Sequence, residues 1–348
     1  MLLSRAQKVQ AEKRAASPLG QMRTIIEMDP PEHRDFRKVA SGFFTPRSIR
    51  RLDGIVAESA RTLIDSLGEE GECDFVEKVA QRHPLRVLAT LLGIDREDEE
   101  RVLELTQQLF GSDDPDLQRK GEDREKAQME IGLEFYQMFD RITQDRRAHP
   151  RDDLATMLAT AKMADGSPMG PIETFGYYLI VFTAGHDTTR NALSSGFAAL
   201  LEHPDQLDTL RRDPAVMPSA VEEILRWSSP VGYFARRATR DTQIRGVPIA
   251  AGQRVTLWYP SANRDDDVFA EPFRFDIRRA PNEHVAFGGG GAHFCLGANL
   301  ARQEIAILFH TLLRRAGRIE ILSAPRYSAL GIYNPVLVAL KTLPVRLA

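Results

Sequence analysis

Cys295 is the residue of this sequence whose type and position are most suited to chemistry. It ends the segment Phe287-Gly-Gly-Gly-Gly-Ala-His-Phe-Cys295-Leu-Gly297, which leads directly into a helical pattern. Glycine has no Cβ, so a loop of this kind can bring its backbone close to a flat or bulky group. A cysteine just before a helix lies near the positive end of the helix dipole, which favours the thiolate over the thiol. The sequence therefore predicts that Cys295 is a thiolate and that it binds a ligand or a metal.

The residues around Cys295 limit what that partner is. A phosphate-binding loop has a lysine followed by serine or threonine after its glycines, and none follows here. A zinc site needs three or four ligands, whereas His293 and Cys295 supply two at most. A buried thiolate presented by a close-fitting loop is what a haem iron with a cysteine ligand requires. An ordinary glycine loop that ends in a core cysteine remains the alternative.

A polar segment interrupts an otherwise apolar helical stretch. It reads Ala184-Gly185-His-Asp187-Thr188-Thr189. Glycine within a helix costs about 1 kcal/mol relative to alanine, and threonine hydroxyls can bond to carbonyls one turn earlier and bend the helix. A carboxylate and a hydroxyl at such a position can deliver protons to a ligand bound alongside, so Asp187 and Thr188 are candidate catalytic residues. The alternative is a core helix with a few satisfied polar groups.

Charged residues at helical spacing form two further candidate sites. His33 and Arg37 lie one turn apart and can bind an anionic group such as a carboxylate, and Arg236 at a strand start is a similar candidate. Each can also belong to a solvated basic surface, since basic helix faces are common. Glu223 and Arg226 are three residues apart on one helix face. A surface pair of this kind contributes little, whereas a buried pair needs a further partner, for which Arg279 is the candidate.

Size and composition set limits on the class of protein. The 348 residues suffice for one large core or two ordinary domains. The net charge of −3 gives no electrostatic argument for binding nucleic acid, and two cysteines do not make a disulfide framework. The N-terminus lacks the apolar stretch of a signal peptide, and no apolar run is long enough to span a membrane. We expect a cytoplasmic protein.

The periodicity of apolar residues changes along the chain. Residues 1 to about 230 have helical spacing, with predicted helices over 49–67 and 75–92 and a long apolar helix over 171–202. Alternation and turn signals then predict short antiparallel strands within 242–260, followed by a helix over 296–315 and strands near 319–322 and 336–340. The prediction is one mainly α domain over residues 1–348 with a minor antiparallel β part.

In this order the motifs resemble those of the cytochrome P450 family, specifically its soluble bacterial members, from about residue 28 to the C-terminus. The resemblance implies a P450-like fold in which Cys295 is the axial ligand of a haem b iron. It assigns Asp187 and Thr188 to oxygen activation and proton delivery, and it places Glu223, Arg226 and Arg279 in a buried charge network. The remaining cofactor-binding residues that it implies are His33, Arg37, Arg236 and His293 at the propionates, Ala184 and Gly185 where oxygen binds, and Phe287 and Gly297 in the cysteine loop.

Two departures from the family pattern carry further expectations. The loop has one residue more than usual between Phe287 and Cys295, and with the segment Asp29-Pro-Pro-Glu-His33 it looks like members that hydroxylate steroid side chains and methyl-branched lipids. This similarity implies a bulky apolar substrate. Only residues 1–27 precede the segment, so the N-terminal sheet region of the family is expected to be shortened.

The resulting functional hypothesis is a haem-thiolate monooxygenase. It would insert one oxygen atom from O2 into a small hydrophobic substrate (steroid, fatty acid or terpene-like), with electrons from NAD(P)H delivered by a separate ferredoxin or flavin protein. The alternative is a haem-binding sensor or carrier without competent oxygenation, which the short N-terminus motivates. Ligand binding alone has no need of a proton relay, so the Asp187–Thr188 pair argues against that alternative.

Overall fold

Helices make up most of the residues that the structure describes. A computed structural model describes residues 24–68, 71–110, 124–327 and 340–347. Its α-helices, in chain order, are α1 (Glu32–Ser41), α2 (Pro46–Arg50), α3 (Asp53–Asp65), α4 (Arg82–Leu92), α5 (Glu99–Phe110), α6 (Arg124–Ala148), α7 (Leu154–Ala159), α8 (Pro171–Glu202), α9 (Pro204–Arg212), α10 (Met217–Ser228), α11 (Tyr259–Ala262) and α12 (Ala298–Arg315). The predicted mainly α fold class is confirmed, whereas the expectation for the N-terminal region concerns residues that lie largely outside the described ranges.

The strands are short, and their pairings in the described part of the chain are antiparallel. They are β1 (Gly71–Asp74), β2 (Tyr233–Arg237), β3 (Thr242–Ile244), β4 (Val247–Ile249), β5 (Arg254–Trp258), β6 (Ile319–Ile321), β7 (Arg326–Tyr327), β8 (Leu340–Thr342) and β9 (Pro344–Leu347). The order β1–β9–β6 forms a three-stranded sheet, and β2–β5, β3–β4 and β7–β8 form two-stranded sheets. The predicted minor antiparallel part is confirmed, although most of the strand predicted over 336–340 lies outside the described residues.

Helix boundaries differ from those that apolar spacing alone predicts. The single helix predicted over 75–92 is wrong, because a π-helical turn at Val76–Ala80 precedes α4. The Asp74 carboxylate caps that turn by accepting the Val76 N–H at 2.9 Å. Similarly, α12 begins at Ala298 rather than at residue 296, with Gly297 as its N-cap. Neither boundary disturbs the apolar period, so apolar spacing alone does not reveal it.

The long helix α8 confirms the prediction over residues 171–202. Most of its side chains are buried, which agrees with its apolar composition. Within the ranges that the structure covers, no helix combines the length and hydropathy that a bilayer crossing requires.

Contacts divide the chain into two compact units. The first comprises, among described residues, 24–55 and 85–186, and its core is aromatic. Phe139 of α6 stacks on Tyr178 of α8 with ring centroids 4.7 Å apart, and the Tyr178 hydroxyl donates to the Ala155 carbonyl of α7 at 3.2 Å. Helix α1 is held in the same unit, because the Tyr177 hydroxyl donates to the Phe36 carbonyl.

The second unit comprises residues 56–84 and 187–347 of the described ranges. Phe197 of α8 contacts Phe75 and Phe309 of α12, at centroid distances of 4.2 and 6.2 Å. Helix α8 comes close to α10 at Gly196, where a Cβ would lie 2.4 Å from Ile224 Cγ2. These helices support the segment that carries Cys295. The expectation of one domain over residues 1–348 stays a prediction.

Candidate active site

The glycine-rich loop before α12 is closed by backbone hydrogen bonds. The Cys295 N–H donates to the Phe287 carbonyl at 3.0 Å, so the two ends of the segment meet. Gly288 and Gly290 have φ angles of +94° and +93°, a region that residues with a Cβ rarely adopt. The glycines therefore allow the tight reversal that brings Cys295 back onto Phe287.

This loop holds Cys295 outward. The residue is exposed in the polypeptide and forms no disulfide. The reversal places Cys295 three residues before α12 begins at Ala298. An outward cysteine at the N-terminal end of a helix is well placed for a ligand that the chain does not supply.

A zinc site at Cys295 is not supported. Across the described ranges, the one group of three or more His, Cys, Asp or Glu ligand atoms lying within 4.8 Å of one another is Asp265, Asp266 and Asp267. Cys295 does not belong to it, and zinc requires three or four protein ligands. A thiolate that acts as the single protein ligand of a metal suits haem iron.

Arg236 and Cys295 both influence the pKa of Tyr259 electrostatically. Arg236 is exposed on β2, opposite Val255 of β5. Burial raises the pKa of Tyr259, the positive charge of Arg236 opposes that rise, and Cys295 adds to it. Within the second unit, Arg236 and Cys295 are therefore both near Tyr259, and Cys295 lies between His293 and Gly297 in sequence.

Behind the loop, Glu223 and Arg226 form the buried network that their spacing suggested. Both side chains are fully buried, and the Arg226 Nε and Nη2 groups donate to Glu223 Oε2 and Oε1 at 2.7 and 2.8 Å. Arg279 Nε donates to Glu223 Oε2 at 3.2 Å, and Arg226 Nη1 donates to the Asn263 and Pro272 carbonyls at 2.8 Å. The prediction of a buried pair completed by Arg279 is confirmed.

A second charge cluster, which the sequence analysis missed, lies beside the first. Glu222 accepts two hydrogen bonds from Arg302 and one from His284, and the Arg302 guanidinium lies 4.5 Å from the Phe287 ring centre. The sequence signal was the pair of consecutive glutamates at 222 and 223. The partners of Glu222 are 62 and 80 residues away in sequence, so the sequence did not identify them.

On α8, Asp187 is buried and paired. Its Oδ1 lies 3.4 Å from Arg190 Nη2, and the two side chains are 8% and 14% exposed. Thr188 beside it is half-buried. Asp187 was predicted as a site residue without this arginine, although an arginine three residues later on a helix is a recognisable signal.

The first unit positions the other predicted residues on α1 and α8. His33 is buried and Arg37 half-buried, and the two are four residues apart on one face of α1. Arg37 is close enough to lower the pKa of Tyr177, which burial raises. Ala184 is exposed although Thr183 and His186 are buried, so α8 presents a small side chain to open space at the position assigned to oxygen binding.

These observations fit a haem cofactor. Cys295 is the outward-held thiol donor, the exposed Phe294 next to it provides apolar surface, and Arg236 provides a cation in the same neighbourhood. Haem has the corresponding parts, which are an iron, an apolar ring and anionic propionates.

Comparisons with known proteins agree with this donor set. A family model described as Cytochrome P450 matches residues 4–316. A methyl-branched lipid omega-hydroxylase from Mycobacterium bovis is 37% identical over 326 residues, which are 92% of this chain and 74% of that protein. A steroid C26-monooxygenase from Rhodococcus jostii is 42% identical over 313 residues, which are 90% of this chain and 64% of that protein.

The fold is also similar to solved structures. One is the Mycobacterium marinum cytochrome P450 CYP268A2 in complex with pseudoionone, with a TM-score of 0.88 and 35% identity. The match covers 95% of this chain and 78% of that chain. The predicted resemblance in fold is therefore confirmed.

Proposed function

The chain belongs to the cytochrome P450 family, and from that premise we propose that it hydroxylates a bulky hydrophobic molecule of the steroid or branched-lipid type. The enzyme class is that of a haem monooxygenase, as in the hydroxylase and monooxygenase relatives. The single observation that carries the proposal is the outward-held Cys295 in its glycine loop. The relatives described above are named as a hydroxylase and a monooxygenase, which does not favour the alternative of a sensor or carrier.

We assign Cys295 as the axial ligand of haem b. The positive end of α12 and the backbone around the loop favour its thiolate form. When bound, the haem supplies the iron at which O2 is activated. Arg236 and His293, together with His33 and Arg37, are proposed to bind the anionic propionates, since guanidinium and imidazolium groups form charge-assisted hydrogen bonds with carboxylates. Phe287 and Gly297 are proposed to shape the cysteine loop, and Ala184 and Gly185 to leave room for oxygen.

Asp187 and Thr188 are proposed to deliver protons during oxygen activation. Thr188 Oγ1 can hold a proton at a half-buried position, and Asp187 can supply one from behind it. The Arg190 guanidinium lies 3.4 Å from Asp187 Oδ1 and restrains this carboxyl group beside Thr188. The surrounding apolar residues of α8 limit access of bulk water.

Electrons are proposed to come from NAD(P)H through a separate ferredoxin or flavin protein in the cytoplasm. The substrate class rests on the two relatives named for lipid and steroid oxidation. A panel of steroids, methyl-branched fatty acids and terpenes, screened for a change of haem spin state, identifies which class enters.

The decisive test compares the two cysteines. Cys295→Ala should abolish the thiolate-type band of the ferrous CO complex, because the iron loses its sulfur ligand. Cys73→Ala is the matched control, since Cys73 lies on β1 and is only half-buried there, and it should leave the band unchanged. A thiolate-type band that survives in Cys295→Ala overturns the proposal.

A further inference from the structure

Two consecutive glutamates of α10 hold different segments around the cysteine loop. Glu223 binds Arg226, Arg279 and the backbone N–H of Asp276, which fixes the segment before the loop. Glu222 faces His284 and Arg302 instead. The loop itself begins at Phe287, so Glu222 is the glutamate whose partners border it.

The contacts of Glu222 are short and geometrically specific. Its Oε1 and Oε2 accept hydrogen bonds from Arg302 Nε and Nη2 at 2.6 and 2.8 Å, a bidentate arrangement. Its Oε2 also lies 3.0 Å from His284 Nε2. The His284 side chain is only 3% exposed. A carboxylate with three charge-assisted or buried contacts is strongly restrained.

The tautomer of His284 follows from its second ring nitrogen. His284 Nδ1 accepts the Ala286 N–H at 3.2 Å, so its proton is on Nε2 and is donated to Glu222. This imidazole therefore links α10 directly to the backbone at the entrance of the loop. Asn263 adds to the same support, because its Oδ1 accepts the neighbouring Val285 N–H at 2.7 Å.

The two partners of Glu222 both contact Phe287. The Arg302 guanidinium carbon lies 4.5 Å from the Phe287 ring centre, a cation–π distance. The His284 and Phe287 ring centroids are 6.1 Å apart. Phe287 in turn supplies the carbonyl that accepts the Cys295 N–H at 3.0 Å. A continuous series of contacts thus runs from Glu222 to the backbone of Cys295.

We propose that Glu222 is a positioning residue for Cys295, which acts through Arg302 and His284 on Phe287. The proposal rests on the assignment of Cys295 as haem ligand. The carboxylate fixes the fork of Arg302 and the ring of His284, these two restrain Phe287, and Phe287 fixes the backbone from which the sulfur projects. The Arg302 guanidinium is thereby engaged by Glu222 and Phe287, both in the second unit.

The state of the Glu222 carboxyl agrees with this role. Burial raises its pKa, but hydrogen bonds from His284 and Arg302 and the positive charge of Arg302 lower it more, to about 2. The group therefore stays a carboxylate throughout the neutral range, and it can hold both partners continuously.

Hydrogen exchange of the haem-loaded protein tests the proposal at the loop. In Glu222→Ala we expect exchange of the peptide over 285–297 to be about tenfold faster, because the restraint on the Cys295 N–H is lost. Glu222→Gln keeps an acceptor for His284 and should retain most of the protection. Glu72→Ala removes an exposed ion pair with Arg346 and is the matched control that should leave this peptide unchanged.

The ferrous CO spectrum gives a second readout. Glu222→Ala should convert part of the thiolate-type band to the form without thiolate, while the helical circular dichroism signal is kept. If Glu222→Ala does not fold, Arg302→Lys replaces it, since lysine keeps the charge but loses the fork and the ring contact. The same faster exchange over 285–297 is expected there.

Two outcomes overturn the proposal: unchanged exchange and an unchanged band in Glu222→Ala and Arg302→Lys, or an increase in exchange spread evenly over all peptides. The exchange result is independent of the haem ligand. Failure of the Cys295 assignment would appear instead as a thiolate-type band in Cys295→Ala.

Discussion

Three acidic residues of the second unit have very different environments. Asp187 is paired with Arg190 at 3.4 Å, and Glu222 is held by Arg302 and His284, which lower its pKa to about 2. Glu304 on α12 is fully buried, its Oε2 has no hydrogen-bond partner among the described residues, and burial raises its pKa to about 8. The pKa values of these two carboxyl groups therefore differ in opposite directions from the ordinary value, because Glu222 accepts hydrogen bonds from Arg302 and His284 whereas Glu304 has only burial.

Replacement of Glu304 should change how stability depends on pH. The folded state binds the Glu304 proton more tightly than the unfolded state does, so stability is lost as pH rises from the unfolded value of 4.5 towards about 8. The loss is up to about 1.4 kcal/mol for each pH unit. Glu304→Gln has no such titration, and we expect it to melt above the wild type at pH 7.5 and close to it at pH 4.5.

Thermal unfolding followed by circular dichroism at both pH values measures this difference. Glu283→Gln removes an exposed carboxylate and is the control, which should follow the wild type at each pH. A Glu304→Gln variant with the same pH profile as the wild type would show that Glu304 is ionised in the folded protein.

At the same scale, Thr188→Ala should uncouple the reaction. Without the Oγ1 hydroxyl, proton delivery fails, so reductant is still consumed while product per reductant falls by about tenfold and peroxide is released. The measurement is the ratio of product and peroxide to NAD(P)H consumed. Thr174→Ala on the same helix is the control. The Thr174 hydroxyl donates a hydrogen bond to the Gly170 carbonyl at 2.8 Å and has no proposed part in the reaction. Equal coupling in both variants would remove Thr188 from the proposed mechanism.

Helix α10 of the second unit contacts α8 and the cysteine loop at positions where a substitution would disturb close packing or buried ion pairs. Helix α10 binds the segment before the cysteine loop through Glu223 and the loop itself through Glu222. It also approaches α8 closely at Gly196, where a Cβ would be 2.4 Å from Ile224 Cγ2. The position of α10 therefore affects both the core of this unit and the loop that carries Cys295.

Gly196→Ala tests this helix contact. The added methyl group overlaps the Ile224 side chain, and overpacking of this kind costs about 1–3 kcal/mol. Gly54→Ala on α3 is the matched control, because a Cβ there has no atom within 4 Å, and removing glycine from a helix stabilises by up to about 1 kcal/mol. Denaturant unfolding measures both changes.

Ile224→Ala in the same protein should reduce the cost of Gly196→Ala, since it removes the atoms that the new methyl group meets. Additive costs of the two substitutions would contradict direct contact between Gly196 and Ile224.

The whole molecule should gain stability from haem. Cys295 and Phe294 are exposed in the polypeptide alone, and a ligand that binds the folded but not the unfolded chain stabilises by mass action. At about 1,000 times its Kd the gain is about 4 kcal/mol, which corresponds to roughly 5 °C in Tm for a chain of this size. Calorimetry of the haem-free and haem-loaded protein measures it.

Cys295→Ala serves as the control for this comparison. It should gain less from haem than the wild type does, because the bond from sulfur to iron is missing. Identical melting temperatures with and without haem in the wild type would mean that haem does not bind the folded chain.

The sequence was sufficient wherever a feature depends on residue types at short spacing. The glycine loop before a helix, the polar segment of α8 and the mainly α class are of this kind, because local backbone preference and apolar period determine them. The pair Glu223–Arg226 was also visible from its spacing, although only the structure shows that both side chains are fully buried.

Burial and distant partners were decided by the tertiary structure alone. Arg302 and Glu222 are 80 residues apart in sequence, and neither residue type identifies the other as its partner. The outward position of Cys295 depends on where the loop lies relative to the core, and the protonation of Glu304 depends on the complete exclusion of water around it. A charge or a thiol takes its properties from the groups and solvent around it, which are set by the packing of segments far apart in the chain.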